Sequence, residues 1–206
     1  KEMYGRILDL TLESNKEAVK FSAEMAYAFG TTAGAVHQLS QTFQQMGADQ
    51  SLAENLMVAT AAAADLSGIS FDTITKDLVE GADVVARHYS GLPRMAAAAA
   101  LETRRLGMSL KDAGELMDKT LNPKDFMSGI AEMNAMSRGD IDMSHIFTMR
   151  IEGAKPAEIA EEFGKSIDEI YAKGLDGNEF IMRKMASITG KTEGELAKIH
   201  TLRTKD

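Results

Sequence analysis

Three groups of side chains in this sequence have types and spacings that could do chemistry. Glu13-Ser14-Asn15 sets a carboxylic acid on an amphipathic stretch, as a general acid acting on a glycosidic bond requires. Nothing after Asn15 adds a glycan-binding motif, so a surface carboxylate on a helix explains the same residues. Asp140 with Asp142, and separately Asp176-Gly177-Asn178-Glu179, gather the oxygens that calcium prefers. Neither continues into alternating ligands closed by a bidentate Glu, and helix capping accounts for both. His37, His88, His145 and His200 stand far apart, with no carboxylate or nucleophile at motif spacing. The expectation is therefore no catalytic, cofactor-binding or metal residue, and no enzyme.

A fourth group points to nucleic acid. Pro156-Ala157-Glu158-Ile159-Ala160 followed by Phe163-Gly164-Lys165-Ser166 has the form of the first helix and turn of a helix-turn-helix. Such a motif puts the early residues of its second helix on base edges. Here they are Ile167, Asp168 and Glu169, two of them carboxylates that would face phosphates. Arg104-Arg105 and the cations of residues 198–205 are too sparse to offset so many acids. A plain helical hairpin is expected, with an acidic helical regulator or adaptor using residues 156–173 as the alternative function.

Composition narrows the field further. A formal charge of −8 over 206 residues disfavours polyanionic surfaces, which reward clustered Lys and Arg. Direct nucleic-acid binding is not expected. With no Cys, thiol nucleophiles, disulfides and thiolate metal sites are excluded. Residues 57–64 and 95–101 are the longest apolar runs and stop at Asp65 and Glu102, well short of a membrane span. Trp is absent, and Ala and 14 Met carry the apolar load, which suits closely approaching helices with Met filling the gaps. The Met residues at 117, 127, 133, 136, 143 and 149 read as helix core.

What positions these side chains is a recurring phrase: apolar, Gly, any residue, Ser or Thr, then an acid within the next turn. Leu106-Gly107-Met108-Ser109-Leu110-Lys111-Asp112 is the fullest copy. Gly107 suits the left-handed residue that ends a helix, and Ser109 the N-cap of the next, with Asp112 near its free amides. Copies stand at Gly68 and Ser70, at Gly164 and Ser166, and at Gly190 and Thr192, with looser ones at Gly30 and Gly47. Asn122-Pro123 starts a helix by a related logic: Asn as the cap and Pro in the first turn. These twelve residues are expected to be structural helix corners.

Apolar periodicity fills the spaces between corners with helices and nowhere alternates as a strand would. Val36, Leu39 and Phe43 line one face. A Ser51-Leu52-Ala53-Glu54 box then opens a helix with the stripe Leu52, Leu56, Ala59, Ala63 and Leu66. One helix is expected over residues 70–89, with Phe71, Ile74, Leu78, Ala82 and Val85 inside. Further helices are expected over 94–106, 110–120, 123–139, 141–151, 156–163, 167–173, 177–188 and 192–202. The fold class is all-α: an irregular array or bundle of about ten helices joined by Gly corners. A soft boundary near residues 152–156 would separate a 1–152 array from a 153–206 subregion of short helices. The ends at Lys1 and Asp206 carry neither an initiating Met nor a closing signal, so a longer parent polypeptide is expected.

Several segments resemble tail tape-measure proteins of large tailed bacteriophages. They are residues 97–116, with Glu102-Thr103-Arg104-Arg105-Leu106-Gly107-Met108-Ser109-Leu110; residues 125–139; residues 140–153; and residues 185–199, with Met185-Ala186-Ser187-Ile188-Thr189-Gly190-Lys191-Thr192. Together they cover somewhat over half the chain, in order. The resemblance implies one helical region of a structural virion protein, located in the tail after synthesis in the host cytoplasm. Such a protein sets tail length, organises tail-tube assembly and is ejected with the DNA. The partners it implies are copies of itself and tail-tube or baseplate proteins, with no cofactor.

Overall fold

The computed structural model describes the backbone of residues 2–204 and the side chains of residues 16–204. Glu13 lies outside the described side chains. The fold is all-α, with twelve helices and no strand among the described residues. In order they are α1 (Glu2–Phe29), α2 (Ala33–Gln45), α3 (Gln50–Leu66), α4 (Phe71–Glu80), α5 (Ala82–His88) and α6 (Pro93–Arg105). There follow α7 (Leu110–Lys119), α8 (Pro123–Met136), α9 (Ser144–Ile151), α10 (Pro156–Ala172), α11 (Glu179–Thr189) and α12 (Glu193–Arg203).

The chain forms two compact units, one running through Leu101 and the other from Glu102. The division falls inside α6, and the corner at residues 152–156 lies within the second unit. That corner links α9 to α10, and these two helices pack directly on each other. Gly153 there is a turn between neighbours rather than a linker.

In the first unit α2 is central, packing on α1, α3 and α4. Val36, Leu39 and Phe43 are fully buried, as their spacing predicts, together with Met57, Ile74 and Leu78. Phe29 meets Phe71 edge-on, with ring centroids 5.6 Å apart. Each such large apolar side chain contributes roughly 1.5–3 kcal/mol on burial.

Three expectations for this unit are corrected. The buried face of α3 is Ala53, Leu56, Met57, Thr60, Ala61 and Ala64, while Leu66 is 89% exposed. Residues 56–64 are apolar almost all round the helix, so periodicity alone cannot choose a face. The cap of α3 is Asp49, whose carboxylate accepts from Leu52 N at 2.7 Å, and Ser51 already lies inside the helix. The helix expected over 70–89 is divided at Gly81, where the missing side chain lowers helix propensity. The i to i−4 bonds persist on both sides: Gly81 N donates to Asp77 O and Val85 N donates to Gly81 O.

In the second unit α10 is central, against α7, α9 and α12, while α8 packs on α11. One apolar core joins them; Leu116, Met133, Ile146, Phe163, Met185 and Leu196 are almost wholly enclosed in it. Phe126 and Phe163 meet edge-on at 6.1 Å.

The corner residues sort cleanly. Gly30, Gly47, Gly68, Gly107 and Gly190 all have positive φ, between 65° and 95°, where only glycine sits without strain. Ser70 caps α4, accepting from Thr73 N, and Ser109 and Thr192 form reciprocal capping boxes with Asp112 and Glu195. Pro123 opens α8 as expected. Asn122 takes the cap position without making the cap bond, its amide donating instead to Asp125 Oδ2 at 2.6 Å.

Gly164 and Ser166 are the exception. There is no corner there: α10 runs unbroken from Pro156 to Ala172, and no helix-turn-helix spans residues 156–173. Buried residues at 159, 160, 163, 167 and 170 keep one helical period straight through Gly164, and that packing outweighs the local weakness of a glycine. Ser166 Oγ donates to Glu162 O within the helix rather than capping anything.

Candidate functional site

One polar cluster of the second unit gathers where the α6–α7 and α11–α12 corners meet. At the first corner Ser109 N donates to Asp112 Oδ2 at 2.8 Å, and Asp112 N donates back to Ser109 Oγ at 3.0 Å. This satisfies amides that a helix start otherwise leaves open. At the second, Thr192 N donates to Glu195 Oε2 at 2.7 Å and Glu195 N returns a bond to Thr192 Oγ1. Lys191, between Gly190 and Thr192, carries its ammonium across to Asp112 Oδ1, and the Lys191 side chain is only 10% exposed. Burial pushes the Asp112 carboxyl up, but Lys191 and both Ser109 donors outweigh it and hold the group below the usual carboxylate range. The Ser109 and Thr192 copies of the phrase thus face each other through one ion pair.

A second polar centre lies on the outer face of α10. Asp168 receives two side chains of α12: His200 Nδ1 lies 2.9 Å from Oδ1, and Arg203 Nε donates to Oδ2 at 2.7 Å. Tyr171, one turn further on, stacks on the His200 ring with centroids 4.2 Å apart and planes 7° from parallel. Burial raises the Tyr171 hydroxyl pKa, with Asp176 and Glu193 adding to it. The Arg203 guanidinium lies directly over Gly164, where an added Cβ would come within 2.8 Å of Nη1. The glycine that imitates a corner is therefore a notch for an arginine.

The remaining expected sites are dispersed. Asp142 accepts from Ser144 N at 2.9 Å, which lowers its pKa, and the Asp140 carbonyl accepts from Lys173 Nζ. Asn178 caps α11 through Phe180 N and Ile181 N, and Glu179 pairs with Arg183 four residues on. Asn178 thus caps α11 as expected, whereas the cap position of α9 is Met143, which makes no side-chain cap bond, and Asp142 holds the first amide of that helix from the residue before the cap. No group of three or more His, Asp or Glu is placed to hold a metal among the described residues. The histidines keep separate company: His37 with Gln41, His145 with Glu162 at 3.2 Å, and His200 with Asp168, while His88 is half-buried at the end of α5.

Each unit also carries a groove. In the second, a polar cleft of about 530 Å³ runs between α8 and α11, with Asp125, Ser128, Glu132, Lys184 and Ser187 on its walls. The Lys184–Glu132 ion pair bridges it and lowers the Glu132 pKa. Close approach of the two helices rests on Gly129, whose added Cβ would stand 3.0 Å from Ile188 Cγ1. In the first, an open apolar groove of about 380 Å³ is walled by Leu52, Leu56, Ala59 and Ala63 of α3 and by Ala97 and Ala98 of α6. Four residues of the stripe expected to be the inner face of α3, all but Leu66, line this groove.

Chemically, these centres are fasteners. Asp168 joins α10 to two side chains of α12, and Asp112, which Lys191 and Ser109 hold below the usual carboxylate range, cannot serve readily as a proton donor. Sequence reasoning found the capped corners through their Gly and Ser/Thr signature. It missed Lys191, Asp168, His200 and Arg203 as a set, because their partners lie 79, 32 and 35 residues away. No helix is long and apolar enough to cross a membrane among the described residues. Comparison with protein-family models, with curated proteins and with solved structures finds no match.

Proposed function

We propose that this chain is one helical region of a tail tape-measure protein, acting through shape and helix surfaces rather than through catalysis. Its partners would be copies of itself and tail-tube or baseplate proteins, its location the virion tail, and its exit from the tail would precede the DNA. The support is twofold: the ordered resemblance of residues 97–116, 125–139, 140–153 and 185–199, and the repeated capped corner. Corners at Gly68, Gly107 and Gly190, each followed by a working N-cap, convert a helix-rich sequence into stacked short helices. That is a recipe for folded modules along a longer polypeptide, and it is the observation that carries the reading.

The test is a length measurement. Deleting the coding segment for these 206 residues from the parent gene should give viable tails that are shorter. If the segment is spun out as a single helix in the tail, the loss approaches about 310 Å, at 1.5 Å per residue. If it stays as two folded units of roughly 100 residues, each about 35 Å across, the loss is several-fold smaller. Assembled tails of unchanged length, or tails free of this chain by mass spectrometry, would overturn the proposal.

A further inference from the structure

We infer that α12 is a releasable strap over the second unit, pinned at its start by Lys191 on Asp112 and fastened along its length by the carboxylate of Asp168, and that Gly164 admits its arginine. The inference goes beyond the tail reading and does not depend on it.

The apolar hold of α12 is small. Leu196 and Ile199 are its only fully buried side chains among the described residues, whereas α10 buries eight residues and α11 five. Leu202, at its far end, is 38% exposed. Stability within a fold follows the density of such contacts, so α12 with two apolar anchors opens before α10, which buries Ile159, Ala160, Phe163, Ile167 and Ile170.

Polar contacts supply the rest of the hold: Lys191 pins the start of α12 to Asp112, and the contacts along the helix converge on Asp168. His200 and Arg203, on successive turns of α12, both reach Asp168, and His200 also lies flat on Tyr171. Arg203 is 15% exposed and Asp168 28%, so the pair is shielded enough to matter and wet enough to be weakened by salt.

The seat is shaped for this. An alanine at 164 would set its Cβ 2.8–3.0 Å from three atoms of the Arg203 guanidinium group. In the interior of α10 a glycine otherwise costs stability, and here the Arg203 guanidinium fills the space that its missing side chain leaves. At the other edge Gly107 brings the α6–α7 corner against Leu202 and Ile199. Lifting α12 removes Leu196 and Ile199 from the core they share with Phe163 and Ile167 and leaves an apolar seat on α10.

Amide hydrogen exchange on the full chain tests this. In the unmodified protein the amides of α12 should exchange through their own opening, ahead of those of α10 and α7. Asp168→Asn should speed α12 exchange by about tenfold or more, the size of a lost charge-assisted contact, with α10 unchanged. Gly164→Ala is the second variant, because it raises helix propensity yet crowds Arg203. It should also speed α12 exchange while leaving α10 protected. Exchange of α12 in step with α10, or a Gly164→Ala protein whose α12 is as protected as before, would overturn the proposal.

Discussion

Lys191 and Asp112 stand 79 residues apart in the chain, yet one ion pair joins the corner that starts α12 to the capping box that starts α7. The ammonium is nearly enclosed, at 10% exposure, and the carboxylate also accepts twice from Ser109. A cap normally serves one helix. Here its carboxylate spends its second oxygen on tertiary structure.

Lys191→Met should therefore lower unfolding stability by about 1–3 kcal/mol, the cost of leaving a half-buried carboxylate without its cation. Asp112→Asn should cost a similar amount, and the double variant less than the sum, with a coupling of about 0.5–3 kcal/mol. Urea denaturation of the four proteins checks this. A coupling near zero would mean that Lys191 is solvated in practice.

Acid should probe the same bond. The folded pKa of Asp112 lies below the ordinary 3.8, so its contribution is present above that value and is lost as pH falls through the lower, folded value. Asp72, Glu132, Asp142, Glu162 and Glu195 are also lowered and share the loss. The informative quantity is the stability difference between wild type and Asp112→Asn. It should shrink between about pH 5 and pH 2, and a difference that stays flat across this range would count against the bond.

The serines of the repeated phrase should separate by function. Ser109→Ala and Thr192→Ala each remove a working cap and should cost about 1 kcal/mol. Ser166→Ala should stay within about 0.5 kcal/mol, because Ser166 only bonds back to Glu162 O inside a continuous helix. A Ser166→Ala loss as large as that of Ser109→Ala in thermal melts would contradict the unbroken α10.

Gly129→Ala should destabilise by about 1 kcal/mol despite its better helix propensity, because Ile188, buried and β-branched, stands 3.0–3.2 Å from the new Cβ. Adding Ile188→Val should restore much of the loss. Calorimetric midpoints of the single and double variants decide it, and a Gly129→Ala midpoint above wild type would show that α8 and α11 separate freely.

What the sequence determined by itself was local: an all-α chain, the left-handed turns at Gly30, Gly47, Gly68, Gly107 and Gly190, and the caps at Ser70, Ser109 and Thr192. These depend on φ preference and on bonds spanning three or four residues, which a short window contains in full. Only tertiary structure decided the rest. Gly164-Lys165-Ser166 carries the same letters as a corner, yet it remains helix because Phe163 and Ile167 bury on one face and Arg203 needs the notch. Residues 56–64, apolar on nearly every side, left the inner face of α3 to be chosen by what Met57 packs against. Lys191 with Asp112, and Asp168 with His200 and Arg203, were beyond local reach for the same reason. A charge advertises that it can pair, but the fold brings its partner across 30 to 80 residues.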